Sequence, residues 1–261
     1  MPHGIVLMMD VLGVSRYTPE ECVDFLDKIN RFGEMIKTEF KLVSEYDRQT
    51  AIYGDTVIIC WSFSEELSNI NYDSFDLLSL EMIFFMAKAL ENGLLFRGCV
   101  SIGEYVTDNN IILGPAIFDA HDWYELTDWF GIILSPKTRI WLESITETED
   151  LVGNSQTESH WAETYQDKIV AYDVPLNRHF NEQKTKNFFT IAWPFFYKFM
   201  RKRENKMTSK GMFLQDLLKI PISKEGEPKF KHSIDYFNWY DKIYHKQKKL
   251  NQKSKPKERA D

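Results

Sequence analysis

Two aspartates stand where the chain is expected to turn, and together they could hold a divalent cation. Asp10 ends the apolar run GIVLMM, and Asp55 follows Gly54 inside the β-prone stretch AIYGDTVIICW. Gly-Asp is also ordinary hairpin chemistry, because glycine accepts a positive φ and aspartate hydrogen-bonds the turn backbone. Two close carboxylates repel each other unless a cation neutralises them, and Mg²⁺ or Mn²⁺ carrying substrate phosphates suits such a pair. The sequence therefore predicts either a plain turn or a metal site shared by the two acids.

An arginine and a loop point to an anion near the same place. Arg97 lies inside the apolar strand FRGCVSIGE, and a buried guanidinium is costly unless an anion accompanies it. A phosphate would satisfy it, and so would an ion pair with Glu81 or Asp55. The loop VLGVSRY after Asp10 offers backbone N–H groups, and the next helix points its positive end there, an arrangement that can hold a polyphosphate. An ordinary strand-to-helix connection is an equal alternative.

The elements that must position these residues follow the order β-α-β-β-α-β. Thr18, Pro19 and Glu21 give a strong helix start, with Thr18 as N-cap and Glu21 completing a capping box. Strands are predicted at 4–9, 46–53, 57–61 and 96–102, and helices at 19–40 and 74–92. This order predicts an α+β fold with a ferredoxin-like core, in which the first and third strands are central. Asp10 and Asp55 would then meet at one end of the sheet.

The remainder is less regular. It predicts strands within 105–113 and at 130–134 and 169–174, helices at 115–126 and 136–143, and a loop at 144–164. After Pro175 the pattern is helical and rich in aromatic residues, with a last helix near 234–250. We therefore expect a catalytic domain over residues 1–175 and a helical C-terminal extension with a basic tail over residues 176–261.

Composition excludes several classes of protein. Cys22, Cys60 and Cys99 are widely spaced and lack CxxC pairing, so neither a disulfide framework nor a zinc ribbon is expected. Asp10 interrupts the N-terminal apolar run well short of a membrane span, which predicts a cytoplasmic protein without stable membrane insertion. The last twenty residues carry eight Lys or Arg and two acids on a chain of net charge −7, and we interpret them as a solvated tail rather than a nucleic-acid contact.

Other catalytic classes lack their motifs. The stretch Asp10-Val11-Leu12-Gly13 has the form DxxG, but the phosphate loop GxxxxGK[ST] of GTP-binding switch proteins is absent. The six histidines form no HExxH, and no GxSxG is present. A switch GTPase, a zinc protease and a serine hydrolase are therefore excluded.

With DVLGVS, YGDTVIICW and FRGCVSIGE in this order, the first 175 or so residues resemble the class III nucleotidyl cyclase domain. The resemblance implies a ferredoxin-like core, a head-to-tail homodimer with active sites at the interface, and two Mg²⁺ or Mn²⁺ per site. It implies that Asp10 and Asp55 bind metal, that the Val11 carbonyl adds a ligand, and that Arg97 contacts the triphosphate. By the same resemblance, the nucleotide-binding set would be Val11, Leu12, Gly13, Val14, Tyr53, Arg97 and Lys168.

Departures from the family pattern narrow the implied substrate. Ala51 stands where adenylate cyclases of the family have a lysine that reads adenine, and Phe118 and Asp122 stand where the transition-state Asn and Arg are expected. Without the purine readers, the chain looks like the bacterial pyrimidine cyclases of antiphage (Pycsar) systems, with Tyr53 beside the turn to shrink the base pocket. The resemblance then implies UTP as substrate and cyclic UMP as product. A cytidylate cyclase, or a cyclase-like domain that binds a nucleotide or a partner without turnover, is the alternative.

Overall fold

The computed structural model describes residues 3–14, 17–39, 46–62, 72–108, 111–151, 168–177, 184–204, 207–220 and 226–254. Strands in these ranges are β1 His3–Val11, β2 Asp47–Tyr53, β3 Thr56–Ser62, β4 Phe96–Glu104, β5 Val106–Asp108, β6 Ile111–Leu113, β7 Gly131–Leu134, β8 Ile169–Pro175 and β9 Thr185–Ile191. Helices are α1 Pro19–Thr38, α2 Tyr72–Glu91, α3 Pro115–Tyr124, α4 Pro136–Leu151, α5 Pro194–Glu204, α6 Ser209–Leu217 and α7 Glu227–Ser254.

A seven-stranded sheet with the order β2-β3-β1-β4-β7-β9-β8 organises the chain. Its first four strands have the ferredoxin-like arrangement, with β1 antiparallel to both β3 and β4. β7 joins β4 in parallel, and β8 and β9 pair antiparallel at the other side of the sheet. The α+β, ferredoxin-like prediction is therefore confirmed, and β1 and β3 are interior strands as expected.

The first helix begins as the sequence predicts. The Thr18 hydroxyl accepts from the Glu21 amide at 3.3 Å, and the Glu21 carboxylate accepts from the Thr18 amide at 2.7 Å, which is a complete capping box. The second helix ends at Glu91, and Gly93 follows it with a φ of +76°, which suits a residue without a Cβ after a helix.

Helices cover both faces of the central strands. Successive strand residues point to opposite faces, and Phe96 packs on Phe32 of α1 at 5.2 Å, whereas the next residue, Arg97, lies over Tyr124 of α3. α1 and α3 therefore pack on opposite faces of β4. This arrangement places the Arg97 side chain on the α3 face of the sheet.

Three predictions about the chain after β4 are corrected. The single strand predicted within 105–113 is a separate hairpin of β5 and β6. The helix predicted at 136–143 continues as α4 to Leu151, where a loop was expected, and the rest of the predicted loop lies outside the described residues. The predicted helical region after Pro175 contains β9, because Thr185–Ile191 pairs with β8 along its whole length and buries Phe188, Thr190 and Ile191.

The C-terminal helices pack on this sheet through aromatic side chains. The Tyr236 hydroxyl of α7 lies 2.9 Å from that of Thr190 on β9, and Phe213 of α6 stacks on Phe237 of α7 at 4.6 Å. β9 itself lies between β7 and β8, so residues after 175 contribute to the sheet. Within the part of the chain that the structure describes, none of the helices has the length and apolar character needed to cross a membrane.

Candidate active site

Asp10 lies one residue before the end of β1, between two neighbouring strands. Its Cα is in register with Thr56 of β3 on one side and with Arg97 of β4 on the other. The Asp10 side chain is 17% exposed and that of Arg97 is 18% exposed, so both are mostly enclosed but open to solvent. The sheet register therefore brings the first candidate aspartate directly beside the candidate arginine.

The guanidinium of Arg97 forms an ion pair with Asp10. Its Nη2 and Nε lie 3.2 and 3.4 Å from the same oxygen, Oδ2, of Asp10. Its Nη1 donates to the Thr127 carbonyl at 3.4 Å, and the group lies over the Tyr124 ring at 5.4 Å from the centroid. The internal ion pair, which the sequence left open with Glu81 or Asp55 as partner, therefore exists with Asp10 instead.

Asp55 is joined to the same place through the backbone. Gly54 has a φ of +61°, and the Asp55 carbonyl accepts from the Val11 amide at 3.0 Å. Burial raises the pKa of Asp10; Arg97 opposes this, and the negative charge of Asp55 raises it further. The charge of Asp55 therefore acts on Asp10, and Asp55 directly precedes Thr56, the residue paired with Asp10 on β3.

The loop after β1 has fewer available amides than predicted. The Val11 amide is used by the Asp55 carbonyl, and the Leu12 amide donates to Leu95 at 2.7 Å. Gly13 has a φ of +92°, and a Cβ built there would meet nothing within 4 Å, so this residue faces open space. Among the residues that the structure describes, the phosphate-loop prediction therefore depends on the amides of Gly13 and Val14, and Ser15 and Arg16 of the predicted loop lie outside them.

The N-terminus of α1 is occupied by its own side chains. Its capping box uses the Glu21 amide, and the first turn carries the acids Glu20 and Glu21. Negative charge at this end offsets the helix dipole that would attract a phosphate. The contribution of this helix to anion binding is accordingly smaller than the sequence pattern indicates.

Tyr53 and Lys168 lie in different surroundings. The Tyr53 side chain is 42% exposed, and its hydroxyl accepts from the Ile112 amide at 3.2 Å, so it anchors the β5–β6 hairpin beside the Gly-Asp turn. Lys168 directly precedes the edge strand β8 and forms an ion pair with Asp76 of α2. Strands β4, β7 and β9 separate β8 from β1. The structure therefore brings Tyr53 next to the candidate site and does not bring Lys168 there.

The two family-departure positions on α3 face solvent. Phe118 is 60% exposed, and the Asp122 side chain is 81% exposed and lies 3.7 Å from His121. Tyr124, on the same helix, is 4% exposed and faces Arg97. Within one chain, α3 thus presents Tyr124 to the Asp10–Arg97 pair and turns the other two residues away.

Sequence reasoning missed three residues around the ion pair. The Thr56 hydroxyl lies 3.5 Å from Asp10 Oδ1. Its position directly after Asp55 could have indicated from the sequence that it lies at the site. Tyr124 and Thr127 contact Arg97 from the end of α3. No local pattern marks them, because their contact depends on the path of α3 across the sheet.

The carboxylates at this site fit a cation that is also bound by the phosphates of a nucleotide. In the described ranges, His, Cys, Asp and Glu side chains form no group of three or more that could hold a metal ion. Asp10 and Asp55 supply two carboxylates, and Mg²⁺ is commonly held by one or two carboxylates together with substrate phosphates and water. The residues therefore fit a nucleotide-borne Mg²⁺ or Mn²⁺ better than a cation in an all-protein cage.

Comparisons with known proteins give structural likenesses only. No family model and no curated protein matches this chain. The catalytic core of a rhodopsin-guanylyl cyclase with converted specificity, in complex with ATPαS, is 12% identical with a TM-score of 0.42; the match covers 73% of this chain and 96% of that one. An adenylate/guanylate cyclase/hydrolase from Silicibacter pomeroyi is 14% identical with a TM-score of 0.36 and the same coverages. At these values neither likeness identifies the activity of this chain.

Proposed function

We propose that this chain is a nucleotidyl cyclase that converts UTP to 3′,5′-cyclic UMP and pyrophosphate. The observation that carries the proposal is the meeting of Asp10, Asp55 and Arg97 at one end of the central strands of a ferredoxin-like sheet. Two carboxylates that repel each other favour a cation, and an arginine open to solvent favours an anionic ligand. A metal–triphosphate complex supplies both partners at once.

The reaction is an intramolecular displacement at phosphorus. The ribose 3′-oxygen forms a bond to the α-phosphorus, the bond from that phosphorus to the bridging oxygen of the β-phosphate breaks, and the 3′-hydroxyl proton passes to solvent. A bound divalent ion would lower the pKa of the attacking hydroxyl and neutralise charge on the departing pyrophosphate. Asp10, Asp55 and the Val11 carbonyl would hold up to two such ions per site.

Arg97 has the most direct role among the residues of the chain itself. Its guanidinium would contact the triphosphate and stabilise the charge that develops as pyrophosphate leaves. Because Arg97 now pairs with Asp10, binding of the substrate complex would exchange one ion pair for two: cation with Asp10, and phosphate with Arg97. Tyr124 and the Thr127 carbonyl would keep the guanidinium in place during this exchange.

The choice of base and the biological setting rest on the sequence resemblance. Tyr53 beside the turn and Ala51 in place of a purine-reading lysine favour a pyrimidine, and the group they resemble makes cyclic UMP or cyclic CMP in antiphage defence. We propose a homodimer with active sites at its interface, because Phe118 and Asp122 face away from the site of their own chain. Residues 1–175 would carry the catalytic groups, and residues 176–261 would form the extension that adds β9 to the sheet.

A second candidate is a domain that binds nucleotide without turnover. Its support is the exposure of Phe118 and Asp122, where the family has its transition-state residues, together with the pairing of Asp10 by Arg97. Both candidates require binding at the same place. They differ in product formation.

The test is to incubate the purified protein with Mn²⁺ and ATP, GTP, CTP or UTP separately and to identify products by mass spectrometry. Cyclic UMP is expected, cyclic CMP would reassign the base, and a cyclic purine would overturn the argument from Tyr53 and Ala51. Asp55→Ala should remove turnover, because one of the two carboxylates proposed to hold the cation is lost. Asp27→Ala removes an exposed carboxylate on α1 and should leave turnover unchanged. Binding of a triphosphate without any product would favour the second candidate.

A further inference from the structure

Residues 124–129, which are the last residue of α3 and most of its connection to β7, are here called the strap, and one side of the strap holds Arg97. The Tyr124 ring lies under the guanidinium, and the Thr127 carbonyl accepts from Nη1. These contacts leave Nη2 and Nε directed at Asp10. The position of Arg97 therefore depends on where the strap places one ring and one carbonyl.

The strap is fixed within the sheet domain by backbone hydrogen bonds. The buried Thr127 donates to the Tyr124 carbonyl from its amide at 3.0 Å and from its hydroxyl at 2.8 Å. Two backbone hydrogen bonds join the strap to the end of β8. The Asp128 amide donates to the Pro175 carbonyl at 2.9 Å, and the Asn177 amide donates to the Leu126 carbonyl at 2.7 Å. The strap thus has a defined path, and a displacement of Asp128 moves the adjoining Thr127 carbonyl.

The other side of the strap is held by the C-terminal helix. His232 Nδ1 lies 2.8 Å from the Asp128 carbonyl, and because a carbonyl only accepts, this nitrogen carries the proton and donates. Lys229 Nζ lies 3.9 Å from the Asp128 carboxylate, and the Tyr236 ring packs edge-on against Trp129 at 4.8 Å. These α7 residues are spaced three and four apart, so they form one face of the helix that lies on the strap.

We propose that α7 is a positioning element of the candidate active site, with His232 and Lys229 as positioning residues for Arg97. They fix Asp128 on one side of the strap, and the adjoining Thr127 carbonyl fixes the guanidinium on the other. The importance of this for catalysis rests on the proposed function, but the coupling of α7 to Arg97 does not. This proposal gives the C-terminal extension a role in positioning Arg97, which its aromatic sequence alone does not indicate.

The experiment measures the mobility of Arg97 directly, in the full chain and without nucleotide. Arginine-labelled protein gives the Nε–H signal of Arg97 by NMR, assigned by its absence in Arg97→Lys, and solvent exchange of this proton reports how often the guanidinium leaves its partners. In His232→Ala we expect exchange to rise about tenfold, the effect of one lost hydrogen bond on a local opening equilibrium. Lys229→Ala should give a smaller rise in the same direction, because its 3.9 Å contact is weaker.

Two variants separate positioning from a general loss of structure. His232→Asn keeps an N–H donor at the position of Nδ1, so exchange should return close to the wild-type rate. Lys231→Ala removes an exposed charge next to His232 on the same helix and should leave exchange unchanged. Unchanged Arg97 exchange in His232→Ala, or an equal rise in Lys231→Ala, would overturn the proposal. Absence of cyclic product from every nucleotide would overturn the proposed function and would leave this readout intact.

Discussion

Two arginine–carboxylate pairs lie against the same sheet, and their surroundings differ. Arg48 and Glu81 are 5% and 1% exposed, with Nη1 and Oε2 3.2 Å apart, and Glu81 also accepts from the Trp61 indole at 3.1 Å. Arg48 further donates to the Ile36 carbonyl at the end of α1. The Asp10–Arg97 pair has the same 3.2 Å separation but is about one-sixth exposed.

The difference lies in how completely each pair is satisfied. Glu81 receives two donors in a closed interior, where neither water nor a ligand has access to its charge. Asp10 has the second acid Asp55 nearby and an arginine whose bonds are 3.2 to 3.4 Å long, so an arriving cation and anion can replace the pair. The Arg48–Glu81 pair, called the closed pair below, is therefore permanent, whereas the Asp10–Arg97 pair, called the open pair, can exchange partners.

The largest effect is expected from breaking the closed pair. Arg48→Ala leaves the Glu81 charge buried, and losing one partner of such a pair costs about 3–5 kcal/mol of the free energy of unfolding. Urea denaturation followed by circular dichroism measures it. Arg31→Ala, which removes an exposed arginine paired with Asp27, is the control and should cost less than about 1 kcal/mol. A loss as small as that of the control would show that the closed pair does not stabilise the fold.

Breaking the open pair should affect chemistry instead of the fold. Arg97→Ala removes the phosphate contact, and loss of one donor to developing charge commonly lowers the rate by about 10²-fold or more. The free energy of unfolding should change by less than in Arg48→Ala, because both groups of this pair are more exposed than those of the Arg48–Glu81 pair. Steady-state assay of cyclic product, together with urea denaturation, measures the two quantities. Arg97→Lys keeps the positive charge but lacks the planar guanidinium, so its rate should lie between those of the wild type and Arg97→Ala. An Arg97→Ala variant that loses stability but keeps the wild-type rate per folded molecule would show that this pair serves the fold and not the chemistry.

Local sequence signals predicted the first half of the fold well. The Thr18–Glu21 capping box, the Gly54-Asp55 turn and the β-α-β-β-α-β order depend on neighbours in sequence, and the structure has all of them. β9 was missed because its residues become a strand through pairing with β8, which the aromatic composition of that segment does not reveal. The same limit applied to α4, whose polar second half continues as helix.

The candidate site was predicted in part, for a related reason. Asp10 and Arg97 each lie one residue from a strand end and Asp55 lies in a turn, so topology alone brings them to one end of the sheet. The partner of Arg97 could not be chosen from sequence, because Glu81 and Asp10 are both acids within reach of a sheet face and only the packing of α2 gives Glu81 to Arg48. Tyr124 and Thr127 depend on the path of a loop, which has no periodic pattern.

The smallest effect concerns the stability that Asp10 itself contributes, and it has a defined sign. The pKa of Asp10 is raised above its ordinary value of 3.8, first by burial, so the folded chain holds this proton more tightly than the unfolded chain does. Stability from this group is therefore greatest below that value, declines as the pH rises through the raised pKa, and is constant above it. Asn does not titrate, so Asp10→Asn removes this decline.

At pH 7 in EDTA, Asp10→Asn should unfold at a temperature equal to or slightly above that of the wild type, whereas Glu81→Gln, in the closed pair, should unfold lower. Below pH 3.8 the advantage of Asp10→Asn should disappear. Thermal melts between pH 3 and 7 measure the difference. A marked loss of stability in Asp10→Asn at pH 7 would mean that the open pair, like the closed one, is held for the fold, and its readiness to exchange partners would have to be abandoned.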